Sequence, residues 1–186
     1  MYHVYHELGN SMANATQHVR PKAIKAGIFI RFLASGYDLT ILFGLLFIAF
    51  GLLTLVDPTM QSIPKWLQYL LSCSIAFAYF VGFWSKAGMT TGMRPWRLHV
   101  AMLDTGDRPS IAAAGIRFVA LALTWIALGA TFFQMNVYIA TGQIDRPIFA
   151  IASLMPALSM LIMILTPQRQ ALHDILSGTS VFRTEK

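Results

Sequence analysis

Two charged residues stand where charge is expensive. Arg31 opens a long apolar run, and Asp38 lies a short way inside it. Hydrocarbon does not solvate an ion, so such residues face protein or water and take partners. A spacing of seven makes two helical turns, which puts Arg31 and Asp38 on one face, about 10 Å apart along the axis. Backbone-level contact does not span that gap. A long Arg side chain, a water or a second helix does. Arg117 begins a later apolar run in the same manner, and Asp174 follows His173 near the end of the chain.

Two kinds of chemistry are open to this set. Desolvation and a neighbouring guanidinium pull a carboxylate's proton affinity in opposite directions, a balance that suits proton coupling. Ser35, Tyr37 and Thr40 add oxygens for a hard cation. The other kind is structural: a buried ion pair between the first and third helices fixes their register and is costly to break. For Asp174 a cap or a salt bridge is expected, with partners among Arg94, Arg97, Arg108, Arg169 and Arg183. The pair His173-Asp174 has no companion ligand cluster, so no metal site is expected. Gly82, Gly88 and Gly92 lack the lysine and hydroxyl residue of a phosphate loop. No Ser-His-Asp or Cys-His set falls at a common depth. The expectation is no enzyme and no cofactor.

The elements that hold these residues follow from composition. Of 186 residues, 56% are hydrophobic and 12% charged, against about 25% charged in a soluble domain. That leaves too little polar surface for water, so the class is integral membrane. The net charge of +6 does not indicate nucleic acid, because the basic residues cluster beside apolar spans, where anionic headgroups account for them. Cys73 is alone and reads as a packed side chain. Met1-Tyr-His-Val-Tyr-His-Glu lacks the apolar core of a cleavable signal.

Residues 1–26 read as a cytosolic tail, with His3 and His6 on a mobile surface and Arg20, Lys22 and Lys25 near the bilayer. Residues 27–186 read as the membrane domain. Four spans are expected, at about 28–56, 66–84, 116–140 and 148–165, each near the roughly 20 residues needed to cross. Trp66 and Trp84 mark the two interfaces, and Pro156 kinks the fourth span. The tail, middle loop, C-terminus and adjoining helix ends hold twelve of the fourteen Lys and Arg, which puts both chain ends in the cytosol. Leu98-His-Val-Ala-Met alternates as a strand. Thr166-Pro167 is a helix start, Gly178 a helix stop, and Thr179-Ser-Val-Phe pairs with the middle-loop strand. The fold class is an all-α integral membrane four-helix bundle with a small cytosolic β element. A faint echo relates Ile30-Arg-Phe-Leu-Ala to Ile116-Arg-Phe-Val-Ala, with Thr124 where a second Asp38 would stand. Gln134 and Asn136 would mark the outer half of any route across.

These residues carry a family resemblance. Arg31 and Asp38, then Thr90-Thr-Gly-Met-Arg, Leu98-His-Val and Asp104-Thr-Gly, then Arg117-Phe, then Leu172-His-Asp-Ile-Leu-Ser-Gly-Thr-Ser-Val stand in the order of the RDD family. The chain resembles that family of bacterial membrane proteins over about residues 25–183, and departs from it at the basic-aromatic run Met93-Arg-Pro-Trp-Arg. The resemblance implies that Arg31 is the named Arg, Asp38 the first Asp, and Asp174, ahead of Asp104, the second. It implies a transporter candidate, with cation–proton exchange suggested for some members, in the bacterial inner membrane. The expectation is a small transporter coupled through a charged core of Arg31, Asp38, Asp174 and Arg117, working as a homo-oligomer in the lipid bilayer. The alternative is an accessory or assembly subunit of a larger membrane complex, with the same residues as an interhelical lock.

Overall fold

The computed structural model describes residues 23–184. His3, His6, Arg20 and Lys22 lie outside the described residues. The elements are β1 (Ala23–Lys25), α1 (Ile28–Val56), α2 (Lys65–Ala87), β2 (Leu98–Met102), α3 (Ile111–Thr141), α4 (Arg146–Leu165), α5 (Leu172–Leu176) and β3 (Thr179–Thr184). The four longer helices are long and apolar enough to cross a membrane. Hydrogen-bonding within each helix satisfies most of its backbone polar groups, which a strand at that depth could not achieve alone.

The helix limits have local causes. α3 begins earlier than its apolar run, because Ser110 caps it: the Ser110 Oγ accepts from the Ala113 N–H at 3.1 Å. α4 begins at Arg146 with Pro147 in its first turn, and Asp145 accepts from the Ile148 N–H at 3.1 Å. Both are positions where a side-chain oxygen serves an orphaned backbone donor. α4 runs on through Pro156. Asp57 closes the turn between α1 and α2, accepting from the Ser62 N–H at 2.8 Å and the Thr59 N–H at 3.2 Å.

Where a helix was expected to start at Thr166-Pro167, the chain makes a turn. Thr166 ends α4, and its Oγ1 accepts from the Gln170 N–H at 2.8 Å. The hydroxyl thus binds a local backbone donor without starting a long helix. α5 begins only at Leu172, and Gly178 leaves it with φ +63°, a conformation glycine adopts without steric cost.

The β element is a three-stranded antiparallel sheet in the order β1-β3-β2. β3 pairs with the middle-loop strand as expected, with Val100 opposite Val181. The third strand, β1, departs from the expected tail: Ala23–Lys25 cover the free edge of β3. An uncovered edge offers unpaired backbone groups, and three residues suffice to blunt it.

Most of the buried residues lie at one end of the bundle, where helices meet sheet. Ala34, Val81, Trp84, Leu98, Val100, Ala114 and Val181 form its core. Toward the other end the helices turn large apolar residues outward, among them Phe43, Phe47 and Ile139, as lipid requires. α3 is central, packing on α2, α4 and α5, while α1 packs chiefly on α2. Of α1, Ala34 and Asp38 are buried.

Ser110→Ala removes the cap of the central helix and should destabilise the protein by about 1 kcal/mol. Reversible unfolding in mixed micelles checks this, and Ser110→Asp should restore the native value.

Candidate functional site

Three helices and the last segment of the chain meet at one carboxylate. Asp174 sits in the first turn of α5 and is 0% exposed. Its Oδ2 accepts from the Arg31 guanidinium of α1, and its Oδ1 from the Arg117 guanidinium of α3. Oδ2 also accepts from the Ala171 N–H at 2.9 Å, so the carboxylate caps the helix that carries it. Each guanidinium is held a second time. Arg31 donates to the carbonyl of Arg169 at 2.6 Å, and Arg117 to the Thr179 Oγ1 at 2.6 Å. Thr179 is fixed in turn by the Ser177 hydroxyl at 2.8 Å, and its carbonyl accepts from Gln170 Nε2 at 2.8 Å. Two positive charges against one negative leave this cluster with one net positive charge.

Arg117 is itself 4% exposed. Its guanidinium lies 4.9 Å from the centroid of the Trp84 ring, so a π face supplies part of the lost solvation. Trp84 was expected as an interface marker. It is 3% exposed instead, while Trp66 at the other end of α2 faces outward. The signal for this was the arginine on the facing helix, which sequence order does not reveal.

Asp38 forms a separate site. Neither arginine reaches it, contrary to the expected pairing. Tyr79 donates to its Oδ1 at 2.7 Å, the Gly92 N–H to the same oxygen at 2.9 Å, and the Thr90 hydroxyl to Oδ2 at 2.6 Å. Three donors replace the hydration of the carboxylate. They also tie α1 to α2 and to the loop that follows α2. The geometry explains the correction. A two-turn spacing puts both side chains on one face, but the Arg31 guanidinium is taken by Asp174 and the Arg169 carbonyl.

Gly92 has a steric role as well. A Cβ there would lie 2.6 Å from the Ala34 carbonyl oxygen and 2.6 Å from Asp38 Oδ1. Thr90 and Gly92 belong to the Gly-rich stretch after α2, legible as a motif but not as the cradle of Asp38. Tyr79 carried no such signal.

Outside the spans, His173 is pushed down to about 3. Burial is the main cause, the Arg117 and Arg31 charges add to it, and Asp174 opposes. At neutral pH the imidazole is therefore uncharged beside Asp174. Burial alone would raise the Asp174 carboxyl, but the Arg117 and Arg31 charges outweigh it and hold the group well below the ordinary carboxylate range. The two guanidiniums thus keep this carboxylate ionised.

Among the described residues no cluster of three His, Cys, Asp or Glu could hold a metal. Asp104, the other acid weighed beside Asp174, is exposed in the turn after β2, where its Oδ1 accepts from the Thr105 N–H at 2.8 Å. Asn136 donates to the Phe132 carbonyl of its own helix at 2.8 Å.

The RDD family model matches residues 25–178. The chain belongs to the RDD family. Among curated proteins and solved structures, none matches it. The RDD match begins within β1 and ends at the glycine that closes α5, so it takes in Arg31, Asp38, Arg117 and Asp174 together. The two arginines of the internal echo, Arg31 and Arg117, converge on one acid.

Two outcomes follow for this RDD protein. The unfolded chain binds a proton at His173 from about pH 6.5 downward, while the folded chain resists until about 3. The unfolded state then holds more protons, so stability falls as pH drops below about 6.5, by up to about 1.4 kcal/mol per pH unit. His173→Gln should flatten that slope between pH 4.5 and 6.5; an unchanged slope in unfolding titrations would contradict the assignment. Asp174 acts at lower pH, since its stabilisation is present above the ordinary carboxylate range and is lost as pH falls through its depressed folded value. Gly92→Ala forces the loop away from Asp38 and should cost about 1–3 kcal/mol, read as a lowered melting midpoint.

Proposed function

We propose that this multi-pass RDD protein is a non-catalytic accessory or assembly subunit of the bacterial inner membrane. In this reading its Arg/Asp core is an interhelical lock, not an ion path. The observation that carries it is the use already made of both carboxylates. Asp174 is bridged by Arg31 and Arg117, and Asp38 has both oxygens taken by three protein donors. A coupling carboxylate must exchange its partners for a cation or a proton. Here each exchange would strip a buried group of its partner, which typically costs about 3–5 kcal/mol for a broken buried pair.

Both chain ends are assigned to the cytosol. In support, Lys25, Lys86, Arg94, Arg97 and Arg183 gather around the sheet, whereas the turns at the far end carry only Lys65 and Arg146 among the described residues. Basic residues are retained on the cytosolic side of short loops.

Cation–proton transport is the second reading. It is favoured by the position of Asp38 on the wall of an intramembrane cavity. Proteoliposomes separate the two. With native protein and Asp38→Asn folded and equally incorporated, the lock reading expects no proton-coupled Na⁺, Li⁺ or K⁺ flux from either, and a lower melting midpoint for the variant. Flux from the native protein that vanishes in the variant would establish transport instead.

A further inference from the structure

A cavity of about 390 Å³ opens between α1, α3 and α4, within the size range of sites that hold small molecules. Along α3 its wall runs from Arg117 to Thr131, about 21 Å at 1.5 Å per residue. One leaflet contributes about 15 Å of hydrocarbon, so a lipid chain fits lengthwise. Most of the wall is apolar, with Phe80, Leu121, Trp125, Leu128 and Met160 among its residues.

The polar groups of the wall restrict what else a ligand carries. At the end near the sheet the charges cancel, Arg31 and Arg117 standing against Asp38 and Asp174. All four already have partners within the protein. The unpaired nitrogens at this end, Trp84 Nε1, Arg117 Nε and His173 Nδ1, are enclosed by protein and offer nothing to a molecule in the cavity. An ionised ligand would lose its hydration there and meet no net countercharge.

The wall does offer acceptors. Thr124 donates its hydroxyl hydrogen to the Ala120 carbonyl at 2.8 Å, Thr131 to the Ala127 carbonyl at 2.9 Å, and Ser153 to the Ala150 carbonyl at 3.2 Å. All three residues line the cavity. A hydroxyl has one proton and two lone pairs, so each of these keeps acceptor capacity and has no proton left to give. The complement of an apolar, uncharged wall with surplus acceptors is an uncharged chain that carries a hydrogen-bond donor.

We propose that this cavity binds one long-chain alcohol taken up from the bilayer. Its chain lies along α3 between α1 and α4, and its O–H donates to a hydroxyl oxygen of Thr124, Thr131 or Ser153. The site is independent of the accessory reading, and it would stand if transport were established.

The test is native mass spectrometry of the full chain, released from micelles containing hexadecanol, hexadecyl methyl ether or hexadecyl phosphate. The three probes share one chain and differ only in donor and charge. The expected result is one retained hexadecanol per chain, about fivefold above the ether, which lacks the donor, and also above the phosphate. Ala157→Trp fills the cavity from α4 and should abolish retention. The triple variant Thr124→Val, Thr131→Val, Ser153→Ala removes the acceptors at little change of shape. It should lower hexadecanol to the level of the ether and leave the ether unchanged. Melting curves show whether each variant is folded, and the comparison of probes on the native protein decides the matter if neither is. Equal retention of alcohol and ether, greater retention of the phosphate, or retention of none of the three would overturn the proposal. So would undiminished hexadecanol in folded Ala157→Trp or in the folded triple variant.

Discussion

A buried carboxylate shared by two guanidiniums governs the arrangement of this protein. Asp174 alone at its depth would be an uncompensated charge, and so would Arg117. Brought together they offset part of each other's desolvation penalty, on condition that α1, α3 and α5 converge. That condition is strict, because a hydrogen bond fails within about an ångström of misplacement. Apolar helices in lipid lack a strong hydrophobic drive to associate with one another, since lipid is as apolar as they are. A charge cluster at one end therefore has a large share in fixing which helices meet. It also explains why α5 and β3 lie folded against the helix ends: the acid they bring and the hydroxyl of Thr179 both accept from Arg117.

Asp38 repeats the logic with neutral partners. Tyr79, Thr90 and the backbone of Gly92 give it full hydrogen bonding without a countercharge. The result is a second tie, between α1, α2 and the following loop, set apart from the first. α1 has few other buried contacts. Its attachment thus relies on two charged residues two turns apart, each serving a different neighbour. The helix is pinned at its sheet end, while the remainder faces lipid and, along one side, the cavity.

Much of the architecture was legible in the sequence because lipid is an undemanding reader. A span needs only length and an apolar composition, and the four runs met that test within a few residues of their observed ends. The departures have local causes: the Ser110 and Asp145 caps extend α3 and α4 into segments of mixed polarity. The pairing of β3 with β2 was also readable, from alternation and from backbone groups that needed partners. The strand β1 was not, since three residues after a proline carry no periodicity.

The sequence by itself determined that Arg31, Asp38, Arg117 and Asp174 are costly charges in a membrane protein and must have partners. The reason is the low dielectric of the surroundings, which acts on each residue regardless of the fold. Only the tertiary structure decided who the partners are. Spacing along α1 suggested Arg31 with Asp38, yet Arg31 joins Arg117 at Asp174, 143 positions away, and Asp38 goes to a tyrosine, a threonine and a glycine N–H. Pairing depends on the direction a side chain takes and on what a distant segment brings within about 3 Å. Neither quantity is written in the local pattern of residues.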